Sequence, residues 1–153
     1  MQPKASGVRG GAPPPRLDLL FAYGTLMAGE SRRPLLDPAV LEGGGRVRGS
    51  LYDFGEYPGL VLDEGGWVVG ELYRVPDLAA RLPLLDREEG YTPTDPAGSL
   101  YVRNRAPVQA SDGVSSCEAW VYVYNGPAGR GRRIASGDWR AHVLARGAGS
   151  VDR

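Results

Sequence analysis

The sequence predicts an α+β domain: a small, mostly antiparallel β-barrel with short flanking helices. Three observations carry that expectation. About six short runs either alternate apolar and polar residues or stay continuously apolar, as strands do. A single stretch, Pro76–Gly90, repeats leucines at helical spacing. The 23 Gly and 13 Pro among 153 residues punctuate helices too often for a coiled coil or a helical bundle. With 42% hydrophobic residues the chain can bury the core of one domain, and no internal repeat divides it.

Met1–Arg16 contains Lys4, Arg9 and Arg16, no acid and the run Pro13-Pro14-Pro15, and is expected to be a disordered leader. The domain proper is expected over residues 17–146. Leu17, Leu19, Leu20, Phe21, Ala22 and Tyr23 form a brief apolar run ended by Gly24, which reads as a buried strand. Arg33–Leu41 holds two prolines, room for about two helical turns at most, and Gly43-Gly44-Gly45 should then break the chain. Arg46–Phe54 alternates, with Val47, Gly49, Leu51 and Asp53 on one face.

After a turn over Gly55–Gly59, Leu60-Val61-Leu62 resumes as a strand, and Asp63–Gly66 connects tightly to another at Trp67–Val75. Gly70, inside that strand, marks a bulge or a close backbone approach. In the helical stretch Asp77 is placed to cap the start and Gly90 to end it, while Pro83 should kink or restart the helix. Beyond the turn-rich Tyr91–Gly98, strands Leu100–Val108 and Glu118–Tyr124 are joined by Gln109–Ser116 as a hairpin. Asn125–Arg133 reads as a flexible Gly/Arg loop, Ser136–Ala145 as a short closing helix and residues 147–153 as a flexible tail.

Eighteen Lys+Arg against eighteen Asp+Glu leave no net charge, which argues against nucleic acid as a partner. Lys4 is the only lysine, an Arg bias read as coding-composition background. Cys117 is the only cysteine, so neither an intrachain disulfide nor a cysteine zinc site is expected. His142 is the only histidine, which excludes multi-histidine metal sites. Both are expected to be bland, a surface His and an inert thiol. Carboxylates, hydroxyls or backbone amides must then do any chemistry. Without an apolar run long enough for a bilayer or a signal peptide, the expectation is a soluble cytoplasmic protein with no membrane partner.

Two places suit that chemistry. At Tyr23-Gly24-Thr25-Leu26, directly after the first strand, glycine lets the chain bend and successive amides can form an anion-binding concavity. An ordinary strand-to-loop turn fits the same residues. The second place is Glu89. At 100° per residue it lies within the stripe of Leu78, Leu82 and Leu85, whereas Asp86 and Glu88 fall about 80° to either side. A carboxylate on an apolar face is desolvated and becomes a candidate proton carrier. The alternative is that Glu89, at the helix end, swings to solvent or caps an amide. Glu88 has the phase of a solvated control. Tyr101 shares a strand face with Arg103, and Trp120, Tyr122 and Tyr124 share one on the next strand that reads as packing.

From Leu20 to about Arg140 these pieces resemble, in order, the gamma-glutamylcyclotransferase-like superfamily. LFAYGTLMAG looks like its strand and YG[ST] loop, and GSLYDFGEYPGLV like its next strand pair. VVGELYRV, LLDREEGY, LYVRNRAPV, AWVYVY and SGDWRAH follow. The resemblance implies a barrel with one pocket and cleavage of γ-glutamyl amides to 5-oxoproline without metal or cofactor. It implies Glu89 of the pattern LDxxEG as catalytic acid/base. Tyr23, Gly24, Thr25 and Leu26 map onto the substrate loop, and Tyr23 or Tyr101 is placed to hydrogen-bond the substrate or Glu89. Thr25-Leu26, where the glutathione-degrading branch has Ser-Asn, favours the AIG2-like, γ-glutamylamine branch. The partner implied is a small-molecule substrate; monomer and homodimer stay equally open. A non-catalytic domain binding a γ-glutamyl-like ligand is the rival expectation, and a structural module with a filled barrel is a third.

Overall fold

The computed structural model describes residues 17–151, and the leader expected at Met1–Arg16 lies outside them. Its centre is a closed barrel of five strands in the order β1 (Leu19–Ala22), β5 (Trp67–Arg74), β2 (Val40–Arg48), β6 (Tyr101–Ala110), β7 (Ser116–Tyr124). Every pairing is antiparallel except the one that closes the ring, where Leu20 of β1 lies beside Trp120 of β7 in parallel. Closure leaves the barrel without an open edge there. Leu20, Phe21 and Ala22 are all buried, so both faces of β1 are covered, as its continuous apolar run requires. Gly70 meets the expectation of close approach: a Cβ there would collide with the carbonyl oxygen of Ala22 and lie 2.8 Å from the Phe21 ring.

The alternating run Arg46–Phe54 is two strands rather than one. β2 ends at Arg48, and β3 (Ser50–Asp53) continues in a second sheet of order β4 (Pro58–Val61), β3, β8 (Arg132–Ile134). The switch sits at Gly49, whose amide donates to the Gly66 carbonyl at 3.0 Å and whose missing Cβ leaves room for the Val61 carbonyl. Gly43-Gly44-Gly45 does not break the chain. All three lie within β2, and the ladder to β5 absorbs them through a register shift between Leu41 and Gly43, with Gly43 at φ +144°. Strand β8 overlaps the end of the Asn125–Arg133 stretch expected to be a loop. Its Arg-Arg-Ile sequence carries no strand signal, and its pairing with β3 is made by tertiary structure alone.

Helix α1 (Leu78–Glu88) buries Leu78, Leu82 and Leu85 and runs unbroken through Pro83. Asp77 makes no capping bond from its side chain and sits at φ +56° instead. The far end closes in a Schellman arrangement: the Gly90 amide donates to the Arg87 carbonyl at 3.2 Å and the Tyr91 amide to the Asp86 carbonyl at 2.8 Å. Gly90, at φ +70°, supplies the left-handed residue this closure needs. Helix α2 (Trp139–Val151) starts at Asp138, whose carboxylate accepts the Ala141 amide at 3.0 Å. It continues past Gly147, where sequence alone begins a tail, as far as Val151. Among the described residues no helix is long and apolar enough to cross a membrane.

Candidate active site

Strand β1 delivers the chain into a tight turn in which the Met27 amide returns to the Gly24 carbonyl at 3.0 Å. Gly24 is buried, and its lack of a side chain is a matter of space: a Cβ would lie 2.7 Å from Cγ of Pro58. The loop beyond is pinned from several directions. The Ala28 amide donates to Glu71 at 2.7 Å, the Arg140 guanidinium to the Ala28 carbonyl at 2.5 Å and the Arg32 amide to the Thr25 carbonyl at 2.8 Å. The amides of Gly24, Thr25 and Leu26 have no hydrogen-bond partner among the described residues. Buried amides in proteins are almost always paired, so consecutive unpaired ones at a cavity wall are suited to receive an anion.

Gly24, Thr25 and Leu26 belong to the lining of a cavity of about 460 Å³, as do Tyr23, Glu89 and Tyr101. All six residues singled out from the sequence therefore border one space. A cavity bordered by Glu89 runs against the structural-module expectation, which required none there. Glu89 follows the last turn of α1, with its amide still donating to Leu85 at 2.9 Å, so its helical phase persists. Its side chain is 11% exposed, and Oε2 accepts Nη1 of Arg32 at 2.8 Å. Burial raises the Glu89 carboxyl above the usual glutamate range; Arg32 opposes that rise, and the charge on Glu88 adds to it. Glu88 itself is exposed, as its phase requires.

The tyrosines surround the carboxylate without bonding it. Tyr23 Oη donates to the Tyr122 carbonyl at 2.6 Å and accepts the Leu60 amide at 3.2 Å, and Tyr101 Oη donates to the Pro58 carbonyl. The expectation that either hydroxyl hydrogen-bonds Glu89 is not met, because both are committed to backbone. Burial pushes both phenols far up, so they remain protonated donors. Their role here is to fix the cavity wall: Tyr23 ties β1 to β7 and β4, and Tyr101 ties β6 to β4.

Three contributors escape sequence reasoning. Arg32 meets Glu89 across 57 positions, and nothing in Ser31-Arg32-Arg33 marks it. Tyr122, read as packing, lines the cavity and donates from Oη to Asp86 at 2.7 Å. Asp86, placed off the leucine stripe, is 4% exposed because Arg103 meets it with two bonds, at 2.9 and 3.2 Å. The one legible signal was Arg103 sharing a strand face with Tyr101. His142 is not a bland surface residue. It is half-buried and bonds Asp53 at 2.7 Å, away from the cavity lining. Cys117 is half-buried, and burial raises its thiol above the usual range. Among the described residues no group of three or more His, Cys, Asp or Glu is arranged to hold a metal ion.

Residues 20–141 match the family described as gamma-glutamyl cyclotransferase, AIG2-like. The gamma-L-glutamyl-butirosin B gamma-glutamyl cyclotransferase of Niallia circulans is 34% identical over 136 residues, which is 88% of this chain and 83% of that protein. The gamma-glutamylcyclotransferase family protein YtfP of Escherichia coli K12 is 33% identical over 121 residues, 78% of this chain and 94% of YtfP. The solution structure of YtfP matches with a TM-score of 0.53 over 79% of this chain and 95% of its own, at 33% identity. The crystal structure of YkqA from Bacillus subtilis matches with a TM-score of 0.67 and 26% identity over 87% of this chain, which spans 43% of YkqA. The chain belongs to the gamma-glutamyl cyclotransferase, AIG2-like family, and is an enzyme of that type.

Proposed function

We propose that this enzyme converts a γ-glutamyl amide, of the γ-glutamylamine or γ-glutamyl isopeptide kind, to 5-oxoproline and a free amine, with Glu89 as the acid/base. The observation that carries the reading is one cavity lined both by a partly desolvated carboxylate and by three residues whose amides have no partner among the described residues. The amides of Gly24, Thr25 and Leu26 take the substrate's α-carboxylate. That anchors the glutamyl group so that its α-nitrogen can fold back onto its own γ-carbonyl. Intramolecular attack of this kind saves about 7–11 kcal/mol at best relative to a bimolecular encounter.

The proton inventory explains the need for one carboxylate. The α-ammonium carries three protons; one stays on the lactam nitrogen and two finish on the departing amine. Glu89 takes the first, which frees the lone pair for attack on the γ-carbon. The new N–C bond forms as the carbonyl becomes a tetrahedral oxyanion. Collapse breaks the bond to the leaving nitrogen, to which Glu89 returns its proton, and a second cycle of transfer completes the exchange. A group poised between acid and base does this best when its pKa approaches the working pH, the direction in which burial moves Glu89.

The amine class is supported by Thr25-Leu26 after Gly24 and by the relative whose name specifies a γ-glutamyl group on butirosin B. The test is release of 5-oxoproline, followed by mass spectrometry, from γ-glutamyl amines, γ-glutamyl-lysine isopeptide and γ-glutamyl amino acids. Turnover of the first two ahead of the third is expected. No release from any of them contradicts the proposal.

A further inference from the structure

We infer that Arg32 is a positioning residue for Glu89: its guanidinium holds Oε2 and leaves Oε1 as the oxygen that exchanges the proton. The inference rests on the acid/base reading of Glu89 and assigns that residue's two oxygens to different tasks. One nitrogen, Nη1 of Arg32, makes both contacts to the helix end, 2.8 Å to the Glu88 carbonyl and 2.8 Å to Oε2 of Glu89. The Glu88 carbonyl is among the last of α1, where a cation is favoured by the helix dipole. Oε1 has no hydrogen-bond partner among the described residues, and Glu89 borders the cavity. Arg32 also donates its amide to the Thr25 carbonyl at 2.8 Å. A single residue therefore fixes the carboxylate relative to the amides that would receive the substrate's anion.

The arrangement answers a conflict built into the site. A dry pocket favours the neutral acid, yet the first step needs a carboxylate facing an ammonium. The groups around Glu89 are Arg32 from the loop after β1, Glu88 on its own helix, and Tyr23, Tyr101 and Tyr122 from β1, β6 and β7, with Arg87 and Glu56 also on the cavity lining. Of these, Arg32 is the cation in contact with the carboxylate. It favours the ionised form of Glu89 against the effect of burial, and its charge also disfavours the protonated α-amine of a bound substrate. The first effect holds the base in the form that can accept a proton, and the second eases the loss of one from the amine.

Arg32→Leu and Arg32→Lys test this. Lysine has one nitrogen, and one nitrogen makes both contacts, so Lys is expected to restore what Leu removes. In ligand-free protein labelled with ¹³C at glutamate carboxyls, the Glu89 resonance, identified by its loss in Glu89→Gln, should titrate about one to two pH units higher in the Leu variant. In the Lys variant it should stay near the parent value. The acid limb of kcat/KM should move upward in the same way, because the base must be ionised. An unmoved Glu89 titration in Arg32→Leu, or a Lys variant indistinguishable from Leu, overturns the inference. So does a fall in kcat with a stationary acid limb, which marks a merely structural clamp. Since the carboxyl titration needs no substrate, it judges Arg32 even if no γ-glutamyl amide is turned over, an outcome that would instead refute the proposed function.

Discussion

Glu89 and Gly24 line the same cavity, and each is explained by a contact that sequence shows only in part. For Glu89 the i,i+4 relation to Leu85 and the glycine at position 90 were legible, because helical phase and C-terminal closure are local rules. Its partner Arg32 was not, since a contact across 57 positions leaves no periodic trace. Gly24 was legible as a bend, but its stricter requirement is the Pro58 ring, which only the assembled second sheet brings near. Gly24→Ala is therefore expected to cost about 1–3 kcal/mol by overpacking. It should also raise KM more than it lowers kcat, because the amides move relative to the cavity. Urea denaturation and steady-state kinetics on the same preparation check both. An Ala variant with unchanged stability would place the ring contact elsewhere.

At the scale of elements, α1 is held by more than its leucines. Asp86, with a side chain 6% exposed, takes two bonds from Arg103 and one from the Tyr122 hydroxyl. The Arg103 guanidinium also lies 4.5 Å from the centre of the Trp120 ring. Asp86→Ala leaves a largely buried guanidinium without its counter-ion, and unfolding should become easier by about 3–5 kcal/mol. A cost below 1 kcal/mol would contradict this account. Because Tyr122 reaches Asp86 from its side chain and Tyr23 from its carbonyl, the variant should also disturb the cavity wall. Strand existence was readable wherever apolar residues alternate. It failed at Gly43–Gly45 and at Arg132–Ile134, where the ladder partner rather than local propensity decides the conformation.

For the whole molecule, the second sheet and the closing helix are joined through Asp53. Its carboxylate takes His142 at 2.7 Å and Arg146 at 2.9 Å and also accepts the Gly55 amide at 2.6 Å. Burial alone would raise Asp53, but these donors outweigh it and hold the carboxyl below the ordinary aspartate range. Its stabilisation is then fully present above the unfolded value of about 3.9 and is lost as pH falls through the lower folded value. Asp53→Asn should thus cost about 1–3 kcal/mol at neutral pH. The gap from the parent should narrow steadily below about pH 4, which thermal unfolding across a pH series will show. A gap independent of pH would mean that Asp53 acts by shape and not by charge.

The same linkage runs in reverse at Glu89, whose folded value is raised. Its ionised form weighs against folding above that value and is neutral in effect below about 4.3. Function at the cavity is thereby set against stability of the barrel that forms it. The most direct test is Glu89→Gln, measured for both 5-oxoproline release and thermal midpoint at pH 7. Turnover should fall by about 10²–10⁴-fold while the midpoint stays level or rises. Retained turnover in a folded Gln variant would contradict the assignment of the proton carrier on which the whole account depends.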